Sequence, residues 1–420
     1  MKHGRSGSPI LRRHLALFLV AWSLFLVGCQ LRPAADETSP NPNPKQAEEV
    51  PSPGLASFAV LTPSRVEEGV QAYRESMKVV RKGLYLSAAG ASHPGLYQAA
   101  VRLVEKSELN AVVIDVKEDG RIYLPTDDPM LVSVGAIGPV IPDLKEKIDD
   151  LHKKGIYVIA RVVVVKDPGL AKAHPEWAIQ DARGGVWKDR TGQAWMDPYN
   201  EKVWEYNIRV ALEAARLGFD EIQFDYIRFP SDGQLSQIRY PDAQGRTRVE
   251  AVRELMEAAR AALGYLNVPF SADIFGLIPS VKNDQGIGQY WEDVSLAADY
   301  LSPMVYPSHY ARGTFGLSNP NEFPGPTVAH SVRDAVKRTP SWGAWVRPWL
   351  QDFSLYGVHY TPAMVREQIQ AAEGEGAVGW LLWNAANCYH PAALLPKEGQ
   401  TLPQGDVTTC QAPVQEALNR

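Results

Sequence analysis

The chain has 420 residues, of which 45% are hydrophobic and 22% charged. That is enough apolar surface for one large barrel or two average domains, and it excludes a disordered or fibrous protein. Lys and Arg number 43 against 48 Asp and Glu, a formal net charge of −5, and no basic run beyond the first residues could track a phosphate backbone, so no nucleic acid is expected as a partner.

Lys2, Arg5, Arg12 and Arg13 precede an uncharged apolar run from Leu15 to Val27, short for a bilayer span but of the length of an export signal. The run ends in Leu26-Val27-Gly28-Cys29, which resembles a bacterial lipobox: small residues before a Cys permit cleavage, and the thiol then carries diacylglycerol. An ordinary signal peptide that contains a Cys is the alternative. On the lipoprotein reading, residues 1–28 are removed and lipidated Cys29 holds the protein on the outer face of the cytoplasmic membrane or cell envelope. Four basic groups and no acid leave with the signal, which takes the formal charge from −5 to −9. Residues 29–60 begin with a stretch of Pro, Asn, Glu, Ala and Ser that cannot offset the entropy of folding and reads as a tether. Residues 61–80 hold a lead-in helix, and residues 397–420 an irregular tail.

Between these ends, short β-like runs alternate with amphipathic stretches, the pattern of parallel strands joined by helical crossovers. Strands are predicted over 83–87, 111–117, 156–164, 221–228, 269–275, 300–306, 345–351 and 378–384. Helices are predicted over 95–106, 141–154, 201–217, 248–263, 328–338 and 362–373, several closing on a glycine, Gly155, Gly218, Gly264 or Gly376, suited to a left-handed cap. Eight such units over residues 81–396 are the arithmetic of a single-domain (β/α)8 TIM barrel, an α/β fold, with a doubly wound sheet as the alternative. In the fourth strand Glu221, Gln223 and Asp225 alternate with Ile222 and Phe224; in the fifth, Ser271 and Asp273 alternate with Phe270, Ala272 and Ile274. The apolar set would face the helices. The polar set would point into the barrel, its last member near the strand's C-terminal end, where barrel enzymes place their chemistry.

Collecting that position strand by strand gives Tyr85, Ser87, Asp115, Lys117, Arg161, Asp225, Asp273, Tyr306, Gln351, Trp383 and Asn384, to which loops add Glu118, Asp197, Arg228 and His309. The set offers no Gly-rich phosphate cradle, no cluster of metal-binding His and no nucleophilic Ser with a His partner, so neither metal nor cofactor is expected. A Schiff base on Lys117 is disfavoured because Asp115, Glu118 and Asp119 would stabilise its charged form. Carboxylates, Tyr and Trp around one mouth suit glycoside cleavage, which needs an acid for the departing oxygen and a carboxylate for the oxocarbenium-like carbon. Of 11 Trp, Trp383, Trp187 and Trp195 are the candidate sugar platforms, while core packing accounts for Trp204 and Trp345. Cys388 and Cys410 could form a disulfide in an exported protein or remain two thiols.

The stretches KGLYLSA, NAVVIDVKEDG, HPEW, WMDPYN, GFDEIQFDYIRFP, SADIFG, SPMVYPSHY and VGWLLWNAAN resemble the bacterial glycosyl hydrolase family long filed as a domain of unknown function. The resemblance covers about residues 81–396 and is most specific at FDEIQFDYIRFP. It implies a TIM barrel distantly akin to amylase- and galactosidase-type hydrolases, with catalytic carboxylates after the fourth and later strands, and it names no substrate. FDEIQFDYI and PMVYPSHY are also similar to chitinase-type barrels, whose fourth strand carries Asp-Gly-x-Asp-x-Asp-x-Glu. Here Gln223 replaces an Asp and Ile227 stands where the catalytic Glu would be, so substrate-assisted chitinase chemistry is not expected and Asp225 is the leading carboxylate.

The sequence thus points to a membrane-anchored extracytoplasmic glycoside hydrolase acting on a polysaccharide or oligosaccharide. Asp225 is expected as nucleophile or transition-state carboxylate, kept ionised by Arg228. Asp273 is expected as general acid/base, its proton retained through repulsion by Asp225 and shielding by Tyr306 and Trp383, with Asp115 in reserve. Tyr85, Asp115, Lys117, Glu118, Arg161, Arg228, Tyr306, His309, Gln351, Trp383 and Asn384 would bind substrate. A carboxyl separation of about 5–5.5 Å would give retention, the expected outcome, and about 6.5–9.5 Å inversion. The competing readings are an Asp225–Arg228 ion pair that merely braces a strand, an Asp273 that caps a turn, and a non-catalytic glycan-binding or envelope-organising barrel. Asp197 is expected to cap a helix starting at Pro198.

Overall fold

A computed structural model describes residues 78–403 together with Glu68, Ala72 and Glu75, which are helical and exposed. Cys29 and the apolar run before it, the tether, most of the lead-in segment and Cys410 lie outside the described residues. Eight runs rich in β-branched and aromatic residues form strands: β1 (Arg81–Leu86), β2 (Ala111–Glu118), β3 (Tyr157–Val163), β4 (Glu221–Asp225), β5 (Phe270–Phe275), β6 (Tyr300–Val305), β7 (Trp345–Val346 and Trp349–Gln351) and β8 (Gly379–Trp383). Each pairs in parallel with the next and β1 pairs with both β2 and β8, closing a (β/α)8 barrel. Strand β7, expected as one run, is interrupted at Pro348, which has no N–H for the ladder. The barrel stays closed across the gap because Arg347 N–H donates to the Leu301 carbonyl at 2.8 Å and Leu381 N–H to the Pro348 carbonyl at 2.9 Å.

The crossovers carry α1 (Pro94–Lys106), α2 (Leu144–Lys153), α3 (Glu201–Leu217), α4 (Arg248–Gly264), α5 (Trp291–Leu296), α6 (Pro324–Arg338) and α7 (Pro362–Gly374). Helix α6 begins four residues before the expected start, because Pro324 takes the first-turn position where the missing N–H carries no penalty. Helix α5 is short and was not foreseen. Gly218 closes α3 in the left-handed region at φ 112°. Gly264, expected to do the same for α4, is instead that helix's last residue, and the left-handed conformation falls to Asn267 at φ 55°.

Strand alternation sorts the side chains as expected. Outward residues such as Ile222, Phe224, Phe270 and Ala272 join the apolar layer under the helices, where Phe224 and Phe270 meet edge to face with centroids 5.2 Å apart. The inward residues form a polar, hydrogen-bonded stack. At the floor the Arg347 guanidinium pairs with the Glu221 carboxylate, both side chains fully buried, while Ser271 Oγ donates to Glu221 Oε1 at 2.5 Å and Tyr157 Oη to Oε2 at 3.3 Å. Above this, Gln223 Nε2 donates to Ser302 Oγ at 3.1 Å, and Val113, Ile159 and Leu381 fill the remaining space. The stack pins the strands' relative heights, so side chains one turn of the pleat higher are held by a rigid base.

Removing one member of the floor pair strands the other charge inside the barrel. Glu221→Gln should therefore lower the unfolding free energy by about 3–5 kcal/mol in urea titration, whereas replacing Glu221 and Arg347 together by Met should cost far less. Equal losses would show that the pair is not the stabilising unit.

Candidate active site

Arg161 occupies the inward position of β3 near its C-terminal end, in register with Asp115 of β2. Its guanidinium fork reaches three further strand ends. Nη1 donates to Asp115 Oδ1 at 2.7 Å and to Glu118 Oε1 at 3.3 Å. Nη2 and Nε donate to Asp225 Oδ2 at 2.5 and 3.1 Å, and Nε lies 3.7 Å from Asp273 Oδ2. One cation is thus shared by four carboxyl groups, three of them buried and only Glu118 partly exposed, with 30% of its side-chain surface accessible.

Four carboxylates this close cannot all ionise. Burial, then the charge of Glu118, raises Asp115 well above the ordinary carboxylate range, and the Tyr85 hydroxyl donates to it. Burial, then the charge of Asp225, does the same for Asp273, whose Oδ1 accepts from Trp349 Nε1 at 2.7 Å. Burial also opposes ionisation of Glu118, but Arg161 and the hydrogen bonds around it hold that group below its usual value. Asp225 has its second oxygen on its neighbour's backbone, Tyr226 N–H at 2.6 Å. Two acids whose ionisation is disfavoured therefore stand beside a carboxyl group paired with a cation, an arrangement that suits acid–base cleavage.

The opposite wall is aromatic. Trp383 stacks on Tyr85 with centroids 4.0 Å apart, stands edge-on to Trp349 and has the Arg161 guanidinium 5.0 Å from its ring. Tyr306 continues the arc, 6.4 Å from Trp383 and 5.8 Å from Phe353. A ring-shaped substrate could lie against these faces with its polar edge toward the carboxyl groups.

The family whose profile matches the chain is described as "putative glycosyl hydrolase domain", and the match runs over residues 83–389. The chain belongs to that family. Membership makes it a glycoside hydrolase, the class and fold expected from its motifs. A comparison with curated proteins returns no match. Among solved structures, a hypothetical protein from Ruminiclostridium thermocellum is 36% identical over 46% of this chain and 99% of its own, with a TM-score of 0.43. The PgaB (BpsB) glycoside hydrolase domain from Bordetella bronchiseptica shares the barrel at TM-score 0.55 and 14% identity, covering 73% of this chain and 94% of that one. The α-galactosidase TtGalA from Thermus thermophilus aligns at TM-score 0.46 and 15% identity over 78% of this chain and 64% of that one.

For this glycosyl hydrolase domain, the structure brings Tyr85, Asp115, Glu118, Arg161, Asp225, Asp273, Tyr306 and Trp383 to one mouth and sets other expected residues elsewhere. Lys117 is turned out of the interior: the β2–β3 register slips after Asp115, so Lys117 pairs with Val162, and its ammonium bonds the Val163 carbonyl at 2.5 Å and Asp167 at 2.7 Å. Arg228 was expected to hold Asp225 ionised; Arg161 pairs with that carboxylate instead, and Arg228 donates to the Phe229 carbonyl at 3.1 Å and Ser231 Oγ at 3.3 Å. Gln351 is saturated by Ser308 and the Phe353 carbonyl, and Asn384 by the Asp352 and Cys388 carbonyls, so both brace loops. Ser87 caps the short helix Ala88–Ser92. His309 packs on Tyr306 and Phe353.

Trp187 and Trp195 are corrected as sugar platforms: both are buried, their indole N–H groups donating to the Gln234 carbonyl and to Asp189. Asp197 does not cap α3, a role taken by Asn200; it accepts from Tyr199 N–H at 3.0 Å, and burial raises its pKa to about 6. Cys388 is buried, and its expected partner lies outside the described residues. Trp349 was missed, although it shares the strand parity of Gln351 and so faces inward; that alternation was the available signal.

An unfolded Asp titrates near about 4, whereas native Asp273 keeps its proton to higher pH. The native state then binds the extra proton, and stability falls as pH rises between the two values. Asp273→Asn removes that titration. The variant's melting temperature minus that of the wild type should therefore increase from about pH 4 to about pH 8 by scanning calorimetry; a constant difference would show ordinary ionisation.

Proposed function

We propose that this protein is an extracytoplasmic glycoside hydrolase, tethered through lipidated Cys29, that cleaves a polysaccharide with Asp225 and Asp273 as its working carboxyl groups. The observation that supports the chemistry is that Asp225 and Asp273 meet at one guanidinium, at 2.5 and 3.7 Å. Protonated Asp273 gives its proton to the glycosidic oxygen as the bond to the anomeric carbon breaks. The Asp225 carboxylate meets the positive charge growing at that carbon. Water then adds there and returns a proton to Asp273. Arg161 holds the Asp225 carboxyl in place by its ion pair, and the aromatic arc of Trp383 and Tyr306 receives the apolar face of the sugar.

The same sharing of Arg161 favours a second reading, a glycan-binding barrel whose carboxyl groups are fully engaged by ion pairing. Reducing-end release from a polysaccharide panel separates the two. The hydrolase reading expects the mature protein to release reducing ends from at least one polymer. Asp225→Asn and Asp273→Asn should each lower that turnover on the order of a thousandfold or more, with melting temperatures close to wild type. Binding without release would favour the second reading, and wild-type turnover in either variant would remove that residue from the mechanism. In a fractionated host, Cys29→Ala should leave the protein unprocessed or released from the membrane fraction; normal processing with membrane retention would overturn the lipid anchor.

A further inference from the structure

Arg228 lies on the loop after β4, three residues beyond Asp225. Its Nη1 is fixed by the Phe229 carbonyl and Ser231 Oγ, and the guanidinium lies over two rings, 5.0 Å from Trp195 and 5.1 Å from Tyr226. The other edge of the fork, formed by Nε and Nη2, has no acceptor among the described residues. That edge presents two parallel N–H groups, the arrangement that grips a carboxylate or phosphate with two bonds at once. The side chain is half-buried, which disfavours its charge, and the acids in its field, Asp225, Asp232 and Asp189, make no ion pair with it.

A second cation also lies over Tyr226. The Lys166 ammonium, from the loop after β3, is 5.5 Å from that ring and 3.7 Å from Asp189 Oδ2. Asp189 is already occupied by Trp195 Nε1, Thr191 and Gln193. Tyr226 itself is in the left-handed region at φ 52°, at the point where the chain leaves β4. Beside this pair, the Arg161 cluster sets four carboxyl groups against one cation. A negatively charged sugar would be repelled there and held next door.

We propose that Arg228, supported by Lys166, forms an anion subsite beside the catalytic carboxyl groups, so that the substrate is a polysaccharide bearing carboxylate or phosphate on a sugar adjacent to the cleaved one. The proposal rests on the hydrolase reading for the word "cleaved" and on the geometry of Arg228 for the anion.

Calorimetric binding to the mature chain carrying Asp225→Asn tests it, using an oligogalacturonate, its carboxyl-reduced counterpart and a phosphate-bearing oligomannoside as probes. At least one anionic probe should bind about tenfold or more tighter than the reduced one, and which of them does so distinguishes carboxylate from phosphate. Adding Arg228→Gln should abolish the difference. Arg228→Lys, which keeps the charge without the two-pronged edge, should retain only part of it, and melting temperatures report whether each variant is folded. Equal binding of all three probes overturns the proposal, as does a folded Arg228→Gln protein that keeps the preference. An anionic glycan that binds through Arg228, yet yields no reducing ends with the wild-type protein, upholds the subsite and sinks the hydrolase reading.

Discussion

One guanidinium organises the mouth of this barrel. Arg161 is the shared counter-charge of Asp115, Glu118, Asp225 and Asp273, and its single positive charge cannot balance four negative ones at such close quarters. The excess is resolved by protonation: the two most buried acids without a full ion pair to themselves, Asp115 and Asp273, hold their protons. A lysine could not do the same work. Its point charge would neutralise one neighbour, whereas the planar fork of Arg161 spans β2, β4 and β5 at once and fixes three strand ends in relation to one another.

The cluster rests on two layers of cross-strand polar pairs beneath it. The barrel's floor is the Arg347–Glu221 pair, held by Ser271 and Tyr157, and the next layer is the Gln223–Ser302 bond. Polar residues thus fill an interior that apolar side chains would fill in many barrels, each with a partner across the lumen rather than along its own strand. Such pairs tie neighbouring and facing strands to one another. They also divide the mouth: charge collects on β2 to β5, and the rings of Tyr85, Trp349, Trp383 and Tyr306 on β1 and β6 to β8. A ring that is apolar on its faces and polar at its edge would meet both halves.

How much of this was legible depended on whether the information was local. Strand parity placed Asp115, Arg161, Asp225 and Asp273 on one inner wall, because alternation along a strand needs no knowledge of its neighbours. It would have placed Trp349 there too. Parity failed for Lys117, where a register slip against β3 turned the side chain outward, and such slips depend on the partner strand. Which arginine serves Asp225 was also beyond local reading: Arg228 is near in sequence, but Arg161 is near in space. Trp187 and Trp195 looked like exposed platforms because they sit in a long loop region. The loops fold on each other through the ribbon of Gln180–Asp181 with Ile238–Arg239, and this covers both rings.

The contrast between the two arginines shows how one side chain acquires two kinds of role. Arg161 directs every edge of its fork at a carboxyl group of its own chain, so its charge is spent internally and it shapes the protonation of its neighbours. Arg228 has only Nη1 engaged, by a carbonyl and a hydroxyl, which orient a guanidinium without neutralising it. Exchange their surroundings and their roles would exchange, since the intrinsic chemistry is the same. What differs is the number of acids paired with it, four in one case and none in the other, and that count follows from position: Arg161 lies inside the ring of strand ends, while Arg228 lies on the loop after β4, over Trp195 and Tyr226. A charge placed inside tunes the reaction. A charge placed on that loop, with its fork half open, is available to the substrate.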